Sequence, residues 1–209
     1  MNNGDRNRAI ILLSGGLDSL AALGLSEGVE LALTFDYGQK AAAREIEAAS
    51  KIAKYYGITH KIIKLDWLAE ITDTARTWVP NRNGLFLNIA ASFADAAPAP
   101  LAKGGGTALA VGGFTQIIIG ANAEEAETFP DNTAEFITRT NAVFEFSTMQ
   151  KPQVIAPLIN YHKSDIVNLA REKGMPLELA WSCYEGGKRP CDVCESCKRF
   201  NDAIEINKR

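Results

Sequence analysis

Ala9-Ile10-Ile11-Leu12-Leu13-Ser14-Gly15-Gly16-Leu17-Asp18-Ser19 carries an apolar run directly into a hydroxyl, two glycines, and an acid followed by a hydroxyl. Such a run reads as a buried parallel strand that turns sharply into a helix, with Asp18 and Ser19 in the helix's first turn. The glycines let the backbone approach an anion closely. Free N–H groups and the helix dipole then supply positive character without a basic side chain. The expected guest is a phosphate; the plainer reading is a Ser/Gly connector between strand and helix. The Walker pattern, with its lysine before the hydroxyl, is absent, and so is GxGxxG, which argues against an ordinary P-loop NTPase and against a dinucleotide site.

Outward from this turn, strand and helix patterns alternate. Leu31–Phe35 reads as a second buried strand and Lys40–Tyr56 as an amphipathic helix stopped at Gly57. His60–Leu65 follows as a strand, Phe86–Ala96 as a helix, Gln116–Ala121 as an apolar strand and Ala134–Phe146 as a helix. Val154-Ile155 is a short strand, and Lys163–Glu172 a helix ending before Gly174. The alternation predicts an α/β fold, a doubly wound parallel sheet with right-handed crossovers and ligands at the carboxyl ends of its strands. The Ala-, Pro- and Gly-biased stretch from Ala96 to Gly106 breaks the rhythm and reads as a surface excursion, with a catalytic lid as the less common alternative.

At 209 residues the chain is long enough for a sizeable core. One α/β body, residues 1–180, with a small C-terminal appendage, residues 181–209, is expected. A net charge of −3 with scattered basic residues gives no electrostatic footprint for nucleic acid, so a small ligand is the expected partner. Neither an apolar leader nor a membrane-length apolar run is visible, and a cytoplasmic location is expected.

All four cysteines, Cys183, Cys191, Cys194 and Cys197, fall near the C-terminus. In this context their spacing favours thiolates over disulfides. CxxCxxC plus a returning cysteine suits tetrahedral zinc in a closed structural site, with an iron–sulfur cluster as the alternative. His60, beside a strand, and His162, opening a helix, are not needed as ligands.

Ser14-Gly15-Gly16-Leu17-Asp18-Ser19 resembles the pyrophosphate loop of the PP-loop ATP pyrophosphatases, Rossmann-like enzymes that cleave ATP between its α and β phosphates. Further segments narrow the likeness: Phe35-Asp36-Tyr37-Gly38-Gln39, Pro80-Asn81-Arg82-Asn83 with Phe86-Leu87, Gly120-Ala121-Asn122-Ala123-Glu124, Phe129-Pro130-Asp131, Pro157-Leu158 with Lys163, and Trp181-Ser182-Cys183-Tyr184 before CxxCxxC. In this order, over about residues 9–200, they resemble the 7-cyano-7-deazaguanine synthase family.

The resemblance implies an AMP-forming carbon–nitrogen ligase that uses ATP and ammonia to turn 7-carboxy-7-deazaguanine into its nitrile, a precursor of queuosine and archaeosine. Adenylation supplies the leaving group that a carboxylate lacks. Leu13, Ser14, Gly15, Gly16, Leu17, Asp18 and Ser19 would hold the phosphates, and Asp18 is either a magnesium contact or a favourable partner of the helix dipole. Lys163 is implied near the phosphates, its plain alternative being a surface lysine. Arg82 is implied at a phosphate or carboxylate, its alternative being a rim ion pair. Phe35, Tyr37 and Gln39 would meet adenine or substrate, with Tyr37 either stacking on a ring or capping its strand. Asn83, Asn122, Glu124, Phe129 and Asp131 are implied at the deazaguanine, Asp131 as a partner of the base edge. Ser14, Asp18, Ser19 and Lys163 are the candidate catalytic set.

Where many family members have Tyr-Pro-Asp-Cys-Arg, this chain has Phe129-Pro130-Asp131-Asn132-Thr133. A sibling enzyme that conjugates a deazaguanine to a protein amine, as in antiviral operons, is the second reading, and a non-enzymatic zinc module the third. The family likeness also allows a homodimer.

Overall fold

The computed structural model of the chain describes residues 7–72, 79–96, 99–100, 110–111 and 113–206. Five parallel strands form one sheet in the order β3-β2-β1-β6-β7. They are β1 (Ala9–Leu12), β2 (Val29–Asp36), β3 (Thr59–Lys64), β6 (Gln116–Ile118) and β7 (Gln153–Ile155). Two short strands, β4 (Ala99–Pro100) and β5 (Ala110–Val111), pair antiparallel within the Ala/Pro/Gly excursion. The residues between them lie outside the described residues.

Helices cover both faces, as the alternating pattern requires. On β1, Ala9, Ile11 and the following Leu13 point into one core; Ile10 and Leu12 point into the other. The first core receives α1 (Leu17–Gly24), α2 (Ala42–Tyr56), α7 (Lys163–Glu172) and, through Ala203, α8 (Glu195–Ile206). The second receives α3 (Asp66–Glu70), α4 (Arg82–Asp95) and α6 (Ala134–Ser147). Burying a residue such as Ile52 or Leu87, both fully inside, is worth about 1.5–3 kcal/mol each, so the helix layers on both faces stabilise the sheet between them.

Helix ends follow local chemistry. Gly57 adopts φ 67 after α2, the left-handed cap expected of glycine there. The fourth helix begins at Arg82, earlier than the apolar pattern predicts, because Asn81 takes φ 51 and its carbonyl accepts from Leu85 N–H at 2.9 Å. A short asparagine side chain tolerates that conformation. The strand expected to run to Ala121 stops at Ile118, since the chain next crosses the start of α1. A Cβ at Gly120 would lie 2.9 Å from the Asp18 carbonyl carbon.

β1 pairs with β2 on one side and β6 on the other, so the order reverses at β1. In a doubly wound sheet this switch point opens the crevice at the strand carboxyl ends. The Ser14–Ser19 turn sits there.

Candidate active site

The turn after β1 is closed by its own side chains. Gly16 N–H donates to Ser14 Oγ at 3.3 Å, Ser14 Oγ lies 3.1 Å from Ser19 Oγ, and the Ser19 hydroxyl donates to the Gly16 carbonyl at 3.0 Å. Gly16 is the N-cap of α1 and provides no capping side chain. The first N–H groups of the helix are therefore left to a ligand. Gly15 has φ 83, and a Cβ there would stand 2.5 Å from the Glu45 carbonyl oxygen, so glycine is needed for the turn to rest on α2.

A cavity of about 250 Å³ opens over this turn, walled by residues from all parts of the chain. At its phosphate-like end stand Ser14, Gly16, Leu17, Asp18, Ser19 and Lys163. Lys163 opens α7, is 9% exposed, and places Nζ 2.6 Å from Asp18 Oδ2. Burial works against its charge, but the Asp18 carboxylate and its hydrogen bond more than offset this and hold the ammonium above its ordinary pKa. The other oxygen, Asp18 Oδ1, is buried without a hydrogen-bond partner among the described residues. A buried carboxylate oxygen left open in this way fits a bound cation.

The opposite end is aromatic. Phe35 and Phe86 stack in parallel with centroids 3.9 Å apart, and Tyr37 tilts against Phe86 at 5.8 Å. Gln39 is fixed on three sides: its Oε1 accepts from Tyr37 N–H at 3.0 Å, and its Nε2 donates to the Phe35 carbonyl at 3.1 Å and to Glu45 Oε2 at 2.8 Å. Burial pushes the Glu45 carboxyl up, with Gln39 and Arg82 pulling the other way. Burial likewise raises Tyr37, whose hydroxyl is hydrogen-bonded to Arg82. Arg82 is itself partly buried, which opposes its charge. Tyr37, Asp131 and Glu45 reverse that and keep the guanidinium firmly protonated.

The C-terminal segment forms the remaining wall. Trp181 N–H donates to the Gly15 carbonyl at 2.8 Å, bringing Trp181, Ser182, Tyr184, Ser196 and Phe200 over the cavity. The Sγ atoms of Cys183, Cys191, Cys194 and Cys197 gather within 4.8 Å of one another, and all four cysteines are free. N–H groups of Cys191, Cys194 and Cys197 point at the sulfurs of Cys183, Cys191 and Cys194 at 3.3–3.4 Å. Backbone N–H groups of Val193 and Cys194 bring the Cys191 thiol down to about 7, whereas burial pushes Cys197 up to about 12. Four sulfurs around one metal at 2.3 Å would stand about 3.8 Å apart. The observed cluster needs only slight contraction to reach that.

The cavity thus collects Leu13, Ser14, Gly16, Leu17, Asp18, Ser19, Phe35, Tyr37, Gln39, Arg82, Asn83 and Lys163. Gly15, Asn122, Glu124, Phe129 and Asp131 do not contribute to its lining. Asn122 is fully buried and caps α5 (Ala123–Ala126), its Oδ1 accepting from Glu125 N–H at 3.0 Å. Glu124 turns toward the start of α7, accepting from Lys163 N–H at 3.2 Å, and toward Arg199 at 3.6 Å. The Asp131 carbonyl accepts from Asn83 at 3.2 Å and its side chain accepts from Asn132, which does reach the cavity. Sequence reasoning passed over Glu45, Glu125, Tyr184 and Ser196. The first two look like ordinary helix acids. The last two flank cysteines, and that adjacency was the available signal.

The chain matches the model of the family described as queuosine biosynthesis protein QueC over residues 8–77 and 72–208. It is 42% identical to the 7-cyano-7-deazaguanine synthase of Methanosarcina mazei, covering 92% of this chain and 91% of that protein. With the synthase of Carboxydothermus hydrogenoformans it shares 42% identity over 94% of this chain and 97% of the relative. Its fold is similar to NMN synthetase from Francisella tularensis, with TM-score 0.55 and 16% identity over 97% of this chain and 86% of that one. It is also similar to the U34-tRNA thiolase NcsA from Methanococcus maripaludis with its [4Fe-4S] cluster, with TM-score 0.50 and 20% identity over 96% and 64%. Sheet order, turn, cysteine cluster and full-length sequence similarity agree, and the chain belongs to the QueC family of queuosine biosynthesis proteins.

Proposed function

We propose that this chain is a 7-cyano-7-deazaguanine synthase, an ATP-dependent, AMP-forming ligase of queuosine-precursor biosynthesis. The carboxylate of 7-carboxy-7-deazaguanine attacks the α phosphorus of ATP, forming an acyl adenylate and releasing pyrophosphate. Ammonia adds to the activated carbon, a proton is lost and AMP departs, leaving the amide. A second ATP adenylates the amide oxygen, releasing a second pyrophosphate, and loss of AMP and two protons leaves the nitrile. The single observation that carries this reading is the uncapped Ser14–Ser19 turn facing Lys163 across one cavity, in a chain of this family.

Each residue has a role that electrostatics can supply. N–H groups at the start of α1 and the hydroxyls of Ser14 and Ser19 would hold the pyrophosphate as it leaves. Lys163 would move from Asp18 to the phosphate oxygens as charge develops there. Asp18, through its open Oδ1, would hold a magnesium ion, whose charge screens the phosphates. Arg82 would meet the substrate carboxylate or the α phosphate, and Asn83 beside it the acceptor. The aromatic end would hold flat rings, Leu13 and Leu17 packing beneath the nucleotide.

Zinc is proposed for the four-cysteine node because the sulfur spacing suits a single tetrahedral ion; an iron–sulfur cube needs its thiolates spread more widely. In this reading residues 1–180 form the nucleotide-binding body and residues 181–209 a metal-stapled wall packed upon it. Among the described residues no helix is long and apolar enough to cross a membrane, in keeping with a cytoplasmic enzyme acting on small molecules. Protein conjugation finds no support in the synthase names of the full-length relatives.

The test is direct. Purified protein with ATP, magnesium, ammonia and 7-carboxy-7-deazaguanine is expected to release AMP and pyrophosphate and to form the nitrile, followed by mass spectrometry. No substrate-dependent AMP release would overturn the proposal.

A further inference from the structure

Three lining carboxylates could meet the acceptor, and two of them are already committed to cations. Asp18 is paired with Lys163 at 2.6 Å, and Glu125 accepts from Arg199 at 3.1 Å. Glu45 differs, because its hydrogen bond is to the neutral amide of Gln39 at 2.8 Å and the Arg82 charge acts on it only through space. Both hydrogens of Gln39 Nε2 are used, one on the Phe35 carbonyl and one on Glu45 Oε2. The amide therefore cannot rotate, and through it the carboxylate is tied to the backbone at Tyr37, in a cavity that Phe86 also lines.

Resting on the proposed substrate, we propose that Glu45 is the specificity residue that reads the aminopyrimidinone edge of the deazaguanine. That edge presents a ring N–H and an exocyclic NH₂ side by side, two parallel donors. A carboxylate is an acceptor-only group with two oxygens at matching separation, and the oxygen shared with Gln39 keeps a free lone pair. Adenine cannot use the same partner, because its amino donor sits beside a ring acceptor. Glu45 thereby also keeps the acceptor pocket free of a second ATP. Burial already makes the bare carboxylate costly, as its raised pKa indicates, and two charge-assisted N–H donors would relieve that cost. The base-edge role expected for Asp131 passes to Glu45, since Asp131 stands outside the cavity lining and its side chain accepts from Asn132.

Calorimetric binding of 7-carboxy-7-deazaguanine and of its analogue lacking the 2-amino group tests this without turnover. The unmodified protein should prefer the 2-amino compound by about 100-fold, the worth of one hydrogen bond to a charged group. Glu45→Gln, which offers one acceptor and one donor, should weaken the 2-amino compound about 100-fold, leave the analogue within a few-fold and leave ATP binding unchanged. Glu45→Asp keeps both acceptors one methylene short, so it should weaken both compounds yet retain the preference, which covers a Gln variant that does not fold. A Gln variant with the original preference, or one that loses ATP as strongly as the base, overturns the role of Glu45. An unmodified protein that binds neither compound overturns the proposed function itself.

Discussion

The Lys163 ammonium lies 2.6 Å from the Asp18 carboxylate although the two residues are 145 positions apart in the chain. The contact joins the first turn of α1 to the first turn of α7 across the mouth of the cavity. Lys163 is 9% exposed, so each charge depends on the other.

Asp18→Asn leaves a buried ammonium facing a neutral amide. Breaking one side of such a pair should cost about 3–5 kcal/mol by denaturant unfolding. Replacing both, Asp18→Asn with Lys163→Met, should recover part of that loss, a coupling that a double-mutant cycle reads. ATP–pyrophosphate exchange should behave otherwise, since both single variants and the double variant fall by about 100-fold or more. Recovery of stability without recovery of exchange separates the structural role from the catalytic one.

Two glycines with similar backbone angles should respond differently to alanine. Gly15 has φ 83 and Gly57 has φ 67, so either substitution carries the left-handed penalty of about 1–2 kcal/mol. At Gly57 nothing lies within 4 Å of the added Cβ, and the penalty should stop there. At Gly15 the Cβ would meet the Glu45 carbonyl at 2.5 Å and Ala49 N at 2.9 Å, both backbone atoms of α2. Gly15→Ala should therefore cost clearly more than Gly57→Ala in thermal unfolding. It should also reduce nucleotide binding, because the turn must lift from the helix.

The apolar run before Ser14 and the glycines after it were enough to place the strand, the turn and the helix, because all three depend on contacts within a dozen residues. The same holds for α7, whose bounds, Lys163 and Glu172, follow from its periodicity and from Gly174. The wall built from α5 and the C-terminal segment was harder. Glu124 and Glu125 are sequence neighbours that both reach Arg199, and only the Asn122 cap and the bond from Lys163 N–H to Glu124 turn Glu125 to the cavity. Glu45 sits in an amphipathic helix two positions before Glu47, an acid that faces solvent. What singles it out is a hydrogen bond from Gln39, which a turn of chain rather than a periodic pattern delivers.

Removing the proposed metal should loosen the cavity before it unfolds the sheet. Cys183 and Cys197 are buried, and their neighbours Tyr184 and Ser196 line the cavity. Elemental analysis should find one zinc per chain, and Cys194→Ser should lower that content. Chelation should weaken nucleotide binding and expose Trp181, seen as a shift in tryptophan fluorescence, while far-ultraviolet circular dichroism keeps its α/β shape. Loss of the whole spectrum on chelation would mean that the metal holds the body as well as the wall.

His60 links pH to the same turn. The Thr34 hydroxyl donates to the Leu13 carbonyl at 2.6 Å and lies 2.7 Å from His60 Nε2. Thr34 has spent its only hydrogen on Leu13, so Nε2 must carry the proton and donate to Thr34 Oγ1. Adding a second proton at Nδ1 charges a half-buried ring, and burial lowers its pKa below the ordinary 6.5. Between that lowered value and 6.5 the unfolded chain binds more protons than the folded one. Stability should therefore hold above about pH 6.5 and decline as the pH falls through the folded value. His60→Gln, which keeps an N–H donor toward Thr34 but cannot titrate, should lose this part of the slope in urea unfolding between pH 7 and 5. An unchanged slope would assign the acid sensitivity to other groups. A lost slope together with nucleotide binding that no longer weakens from pH 7 to 5, as it does in the unmodified protein, would show that Thr34 and Leu13 transmit the charge of His60 to the turn at Ser14.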